Sequence, residues 1–156
     1  MINKGLFTSK KSDWQTPLEL FEILNHYYNF DCDVCADDNN ALCEDYFTKE
    51  RSCLTADWYG MNFMNPPYGR DIIKFVSKAH HQYDMLENKT IALLPARTDT
   101  KWFHNYIYDQ AEIIFIKGRL KFRGGKFLQP APFPSMIVGW GVDPILFQEI
   151  KHHINA

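Results

Sequence analysis

Four consecutive residues, Asn65-Pro66-Pro67-Tyr68, have the types and spacing to activate a weak nitrogen nucleophile. A planar amine or amide nitrogen delocalises its lone pair into the neighbouring π system and attacks poorly. Two acceptors set on its N–H bonds draw it toward a tetrahedral state and release that pair. The Asn65 side-chain oxygen and the Pro66 carbonyl can supply them, and neither group has to titrate. Their hydrogen bonds strengthen as positive charge develops on the nitrogen, which is what lowers a barrier. Pro66 and Pro67 lack N–H donors and stiffen the loop, leaving carbonyls aimed outward. Tyr68 offers a flat face on which a planar group can stack. A proline turn closing a strand, with Tyr68 as a surface aromatic, is the other reading of these residues. Their setting favours the first, because an apolar strand precedes them and Gly69 and a helix follow.

The elements that must hold this loop are readable on either side. A helix is expected from Thr16-Pro17, as N-cap and first position, with Leu18, Leu20, Phe21, Ile23, Leu24 and Tyr27 on its apolar face. Strands are expected over 30–36, 61–64, 90–94, 112–116 and 135–140, with a turn at 37–40 and a short helix over 41–47. A second long helix is expected over 71–86, where Ile72, Ile73, Phe75, Val76, Ala79 and Tyr83 recur at helical spacing. Asp99 is placed to cap another, reaching 108. Strands alternating with helices point to an α/β fold with a mainly parallel, doubly wound sheet covered on both faces. Ligands in such folds sit beyond the carboxyl ends of the strands, where Asn65 stands.

Composition bounds the partners. The 156 residues, 46% hydrophobic, suit one domain, read as a flexible N-terminal arm over 1–12 and a single catalytic domain over 13–156. No stretch nears the roughly 20 apolar residues of a membrane span, and the lysine-bearing start has no apolar run behind it, so a cytoplasmic protein is expected. Cys32, Cys35, Cys43 and Cys53 fit no strong zinc pattern, and reduced thiols without a metal are expected. The six histidines suggest nothing catalytic. A net charge of −2 leaves nucleic-acid binding to local charge. Lys117 to Lys126 holds five basic residues and no acidic one. In a strand, Lys117, Arg119, Lys121 and Arg123 would share one face and meet phosphates, with Gly124-Gly125 as the tip. The alternative is an edge strand guarded by charge. Arg97 and Lys101, in another loop near the strand ends, favour phosphate contact.

Several landmarks now stand in one order. They are Asp13-Trp14-Gln15-Thr16-Pro17, Phe30-Asp31-Cys32-Asp33-Val34-Cys35-Ala36, Asn40-Ala41-Leu42-Cys43, Leu54-x-x-Asp57-Trp58 and Asn65-Pro66-Pro67-Tyr68-Gly69. Leu94-Pro95-Ala96-Arg97-Thr98-Asp99-Thr100, Lys117-Gly118-Arg119-Leu120-Lys121-Phe122 and Ala131-Pro132-Phe133-Pro134-Ser135 complete the series. From Asp13 to Trp140 the chain resembles the phage-type DNA N6-adenine methyltransferase (Dam-like) family.

The resemblance implies a shortened Rossmann-like class I methyltransferase that methylates the exocyclic amine of adenine in DNA from S-adenosylmethionine. It implies a phage or prophage origin and action inside a bacterial host cell. Tyr68 would stack on the extruded base, as enzymes acting on duplex bases require. Trp14, Thr16 and Pro17 match the segment that helps hold the cofactor's carboxylate, although a plain helix cap suits Thr16 equally well. Asp33 matches the acidic residue that approaches the methionine amine, with Ala36 and Asn40 beyond it. Asp57 matches a contact to the cofactor's adenine. Two departures stand out. The turn after the first strand is Ala36-Asp37-Asp38-Asn39-Asn40, without the usual glycines, so Asn39 or Asn40 is expected in the left-handed conformation. Only 28 residues separate Ala36 from Asn65, too few for two strand–helix units. No residues remain for a separate target-recognition domain, so specificity is expected from short loops or from a second subunit in a homodimer. A protein glutamine-amide or RNA base methyltransferase, a cytosine N4 methyltransferase and a DNA-binding module without catalysis are the competing readings.

Overall fold

The apolar periodicities resolve into four α-helices and eight strands, with two single-turn 3-10 helices, in the computed structural model, which describes residues 14–123 and 129–154. In chain order they are α1 (Leu18–Tyr28), β1 (Cys32–Asp33), β2 (Asp45–Tyr46), β3 (Met61–Met64), α2 (Ile72–Leu86) and β4 (Lys89–Pro95). Then come α3 (Lys101–Tyr106), β5 (Glu112–Phe115), β6 (Lys121–Phe122), β7 (Gln129–Pro130), β8 (Ser135–Trp140) and α4 (Pro144–Ile150). Six strands form one sheet in the order β2-β1-β3-β4-β8-β5, and β6 and β7 form a separate pair. β2, β1, β3 and β4 run parallel, while β8 is antiparallel to both of its neighbours. The expected α/β, mainly parallel class I architecture is therefore present, with one strand reversed.

Side-chain alternation divides the core into two layers. Phe63, Ile91, Leu93, Ile114 and Ile137 point to one face, where they meet Leu20, Phe21 and Leu24 of α1 and Phe147 and Ile150 of α4. Met64, Ala92, Leu94, Met136, Val138 and Trp140 point to the other, against Ile72, Val76 and Ala79 of α2 and Trp102 and Phe103 of α3. Burying both faces explains why β8 is buried at every residue.

Several local expectations change. The strand expected over 30–36 is regular only at Cys32–Asp33, although the Asp31, Val34 and Ala36 amides still bond to Met61, Phe63 and Phe47. The Asp33 carboxylate accepts from the Cys35 and Leu42 amides at 3.3 and 3.2 Å. The helix expected over 41–47 is absent. Residues 45 and 46 instead form β2 beside β1, in register Cys32↔Asp45 and Asp33↔Tyr46. Side-chain bonds to the amides of residues 39, 40 and 42 compete with helix formation there. Thr16 does not cap α1, whose cap position is Pro17 and carries no side-chain bond. Thr100 rather than Asp99 caps α3, accepting from the Phe103 amide at 3.2 Å, and that helix stops at Tyr106.

Candidate active site

The chain leaves β1 toward β2 on one side and returns to β3 on the other, so the order of strands reverses between β1 and β3. Such a switch point opens a crevice at the carboxyl ends of the strands. A cavity of about 600 Å³ lies there, lined by residues after β1, by the Asn65–Tyr68 loop and by the segment from Thr48 to Leu54.

The loop's geometry follows from two hydrogen bonds. Asn65, just past β3, donates through Nδ2 to the Trp14 carbonyl at 2.7 Å and to Thr16 Oγ1 at 3.0 Å. A carbonyl can only accept, so the amide nitrogen must face Trp14 and the oxygen must turn the other way. That Oδ1 is buried and has no partner among the described residues. Burying an acceptor unpaired costs about 1–3 kcal/mol, and this one belongs to a residue that lines the cavity. Pro66 beside it is buried, Pro67 is exposed, and both line the cavity. The Tyr68 hydroxyl donates to the Leu93 carbonyl at 3.0 Å, and burial pushes its pKa well above the usual value. Phe122 and Phe133 meet the Tyr68 ring at 89° and 75°, so neither stacks on it. Gly69, at φ +125°, then turns the chain into α2, a conformation that an L side chain resists.

The opposite wall is electrostatic. Asp33 is 3% exposed and lines the cavity, and among the described residues no cation pairs with it. Burial raises its carboxyl to about 7, with the Leu42 and Cys35 amides pulling in the other direction. A carboxylate so placed is relieved by a cationic ligand. The turn beyond it needs no left-handed residue. Asp37 Oδ1 accepts from the Asn39 and Asn40 amides at 2.8 and 2.9 Å, and Asn40 Oδ1 accepts from the Asp37 amide at 2.8 Å. Neither Asn39 nor Asn40 has positive φ, so reciprocal side-chain bonds do what glycine was expected to do. The four cysteines are free thiols, and burial pushes Cys32 and Cys43 up to about 12.

Of the residues singled out by sequence, Trp14, Thr16, Asp33, Ala36, Asn40, Asn65, Pro66, Pro67 and Tyr68 meet in this cavity. Pro17 is outside its lining. Asp57 is exposed and also outside it, whereas Trp58 is buried and bonds Cys53 O through Nε1 at 2.9 Å as part of the core. The basic stripe is not a continuous strand. Gly118, at φ +75°, interrupts the extended run, and only Lys121–Phe122 pair as a strand. Lys117, Arg119 and Lys121 are exposed, as are Arg97 and Lys101 after β4. Arg123 turns inward instead, donating from Nε to the Thr16 carbonyl at 2.8 Å and lining the cavity. Lys126 and the Gly124-Gly125 tip lie outside the described residues, as does the arm over 1–12. Sequence reasoning missed Leu42, Ser52, Leu54 and Phe75 as walls: Leu42 and Leu54 stand in the landmark series and Phe75 on the helix pattern, but nothing in either marks a cavity lining. Among the described residues no cluster could hold a metal ion, and no helix is long and apolar enough to cross a membrane.

The sequence profile of the family described as DNA N-6-adenine-methyltransferase (Dam) matches residues 5–138. The chain belongs to that family. A protein named DNA N-6-adenine-methyltransferase from Haemophilus phage HP1 is 40% identical over 115 residues, covering 69% of this chain and 65% of that protein. One of the same name from Escherichia phage T1 is 39% identical over 111 residues, covering 69% of this chain and 45% of its own length. The chain thus spans less than two thirds of either relative. Within this Dam-family chain, the matched region holds both walls of the cavity, from Trp14 to Arg123, and α4 lies beyond it.

Proposed function

We propose that the chain transfers the methyl group of S-adenosylmethionine to the N6 amine of adenine in DNA. In this reading Asn65 Oδ1 and the Pro66 carbonyl accept from the amine. The observation that carries it is the Asn65 amide, whose nitrogen is spent on Trp14 and Thr16 and whose buried oxygen is unpaired. An amine entering the cavity satisfies that oxygen, and the bond strengthens as the nitrogen becomes positive. The acceptor is fixed before substrate arrives, so little reorganisation remains for the reaction itself. Tyr68, anchored through its hydroxyl, offers its ring to the extruded base.

The cavity residues fit the cofactor. About 600 Å³ is within the range of small-molecule sites. Asp33 would take the methionine amine, with Trp14, Thr16, Ala36 and Asn40 around it, and the bound cofactor would supply the electron-poor methyl group. Pro17 and Asp57, outside the lining, are left without a cofactor role.

The names of both phage relatives support DNA and N6 as the target, and their source supports a phage or prophage origin and action in the bacterial cytoplasm. Exposed Arg97, Lys101, Lys117, Arg119 and Lys121 give a chain of net charge −2 a local surface for phosphates. Residues 13–156 would act as one catalytic domain. The test is transfer of labelled methyl from S-adenosylmethionine to unmethylated DNA, with nucleoside mass spectrometry of the product. N6-methyladenine is expected. Label in RNA or in a glutamine amide instead, or cofactor binding without any transfer, overturns the reading.

A further inference from the structure

Arg123 belongs to a basic run in sequence, yet its bonds point away from solvent. Its backbone exchanges two hydrogen bonds with Gln15, Gln15 N to Arg123 O at 2.8 Å and Arg123 N to Gln15 O at 3.0 Å. Its Nε donates to the Thr16 carbonyl at 2.8 Å, across 107 residues of sequence. Gln15 lies between Trp14 and Thr16, whose oxygens are the two acceptors for Asn65 Nδ2. Three bonds therefore run from Arg123 to the 14–16 segment, and two from that segment to the Asn65 amide.

We propose that Arg123 is a positioning residue for Asn65, holding Trp14–Thr16 so that the Asn65 oxygen is presented to the target amine. The proposal rests on the reading of Asn65 as the acceptor. Arginine suits the task for a chemical reason. Its Nε–H is a fixed, charge-assisted donor in the plane of the guanidinium, and lysine has no equivalent. Among the described residues no carboxylate pairs with the guanidinium, so its bond to the Thr16 carbonyl is not shared with an ion pair. Releasing the segment lets the amide rotate or shift, and misplacement of about 1 Å can cost as much as about 10²-fold in rate. A partial release is expected to cost about tenfold.

The experiment uses the full chain, 15N-labelled, as Arg123→Met and Arg123→Lys, each alone and combined with Asn65→Ala. Asn65→Ala also assigns the Asn65 side-chain amide signals. Four quantities are read: methyl-transfer rate at saturating substrates, cofactor affinity, salt dependence of DNA binding, and protection of the Asn65 amide protons from exchange with water. Arg123→Met is expected to slow transfer about tenfold, with a smaller change in cofactor affinity, an unchanged salt slope and the amide protons freed. In the Asn65→Ala background it should cost nothing further. Arg123→Lys keeps the charge but lacks Nε, so it should free the same protons, and it serves where Arg123→Met does not fold.

Unchanged amide protection overturns the proposal. So does a loss that adds in full to Asn65→Ala, one confined to cofactor affinity, or a salt slope flattened by about one unit, the mark of a phosphate contact. Because amide exchange is read without substrate, the two readings fail separately. A wild-type chain inactive on DNA, with amide protons freed by Arg123→Met, sinks the DNA reading and keeps the positioning role. An active wild type whose amide protons ignore Arg123 does the reverse.

Discussion

The two walls of the cavity are built by opposite means. The wall after β1 is local, since Asp33, Asp37 and Asn40 satisfy amides no more than nine residues away. The wall after β3 is assembled from afar. Asn65 reaches 51 and 49 residues to Trp14 and Thr16, and Tyr68 reaches 25 to Leu93. The side-chain bonds of the first wall stay within its own short segment, although β1 itself pairs with β3. The acceptor wall exists only once β3, β4, the lead-in to α1 and the β6–β7 pair have come together. Binding of cofactor should therefore respond most to the first wall and turnover most to the second, although Trp14 and Thr16 border both, and that difference can be broken or sharpened by substitution.

On cofactor binding the largest effect is expected at Asp33. Removing one partner of a buried charge pair costs about 2–5 kcal/mol, so Asp33→Asn should weaken cofactor binding by at least about 30-fold in calorimetry. The pH dependence carries a sign. The folded pKa is raised from 3.8 to about 7, so this group's contribution to the stability of the free protein is present at low pH and is lost as pH rises through about 7. Cofactor binding needs the carboxylate, so affinity should fall as pH drops below about 7 and a proton should be released on binding near pH 6. Asn at position 33 abolishes both dependences. A cofactor affinity flat from pH 5.5 to 7.5 in the wild type would remove Asp33 from the site.

Thr16 sits on the other wall and should behave differently. Thr16→Val takes away one acceptor for Asn65 and should slow transfer by roughly tenfold, about one lost hydrogen bond. Cofactor affinity should change less than rate. A loss of cofactor affinity alone would assign Thr16 to the cofactor's carboxylate instead. Outside both walls, Arg119→Ala with Lys121→Ala should flatten the salt dependence of DNA binding by about one unit for each lost contact. An unchanged slope returns these residues to guarding the β6 edge. Smallest is Asp37→Ala, which removes the local turn bonds and should cost about 1 kcal/mol of stability in denaturant unfolding. Transfer at saturating cofactor should be untouched, and a slowed rate would mean that the two walls are coupled.

This division also explains what could be read in the sequence. β8 and the Asn65–Tyr68 loop are legible because burial on both faces and paired prolines leave local marks, whereas Asp33 is marked only by the family resemblance. Thr16 beside Pro17 has the local form of a helix cap, and nothing nearby says that its hydroxyl is claimed by Asn65. The alternation of Lys117, Arg119, Lys121 and Arg123 assumed a strand that Gly118 interrupts. The inward turn of Arg123 is hidden from the sequence because its partner, the 14–16 segment, lies over a hundred residues away. The turn at 37–40 escaped for the opposite reason. Asp and Asn side chains can close a turn by their own bonds, so the missing glycines implied a left-handed Asn39 or Asn40 that this turn does not need.

The central claim is that the Asn65 oxygen, left free by its amide's two donor bonds, accepts from the target amine. Single-turnover methyl transfer to unmethylated DNA by Asn65→Ala, at saturating cofactor, tests it most directly. The account predicts a rate lower by about 10² or more, with cofactor affinity nearly intact. A rate within a few-fold of the wild type would contradict it.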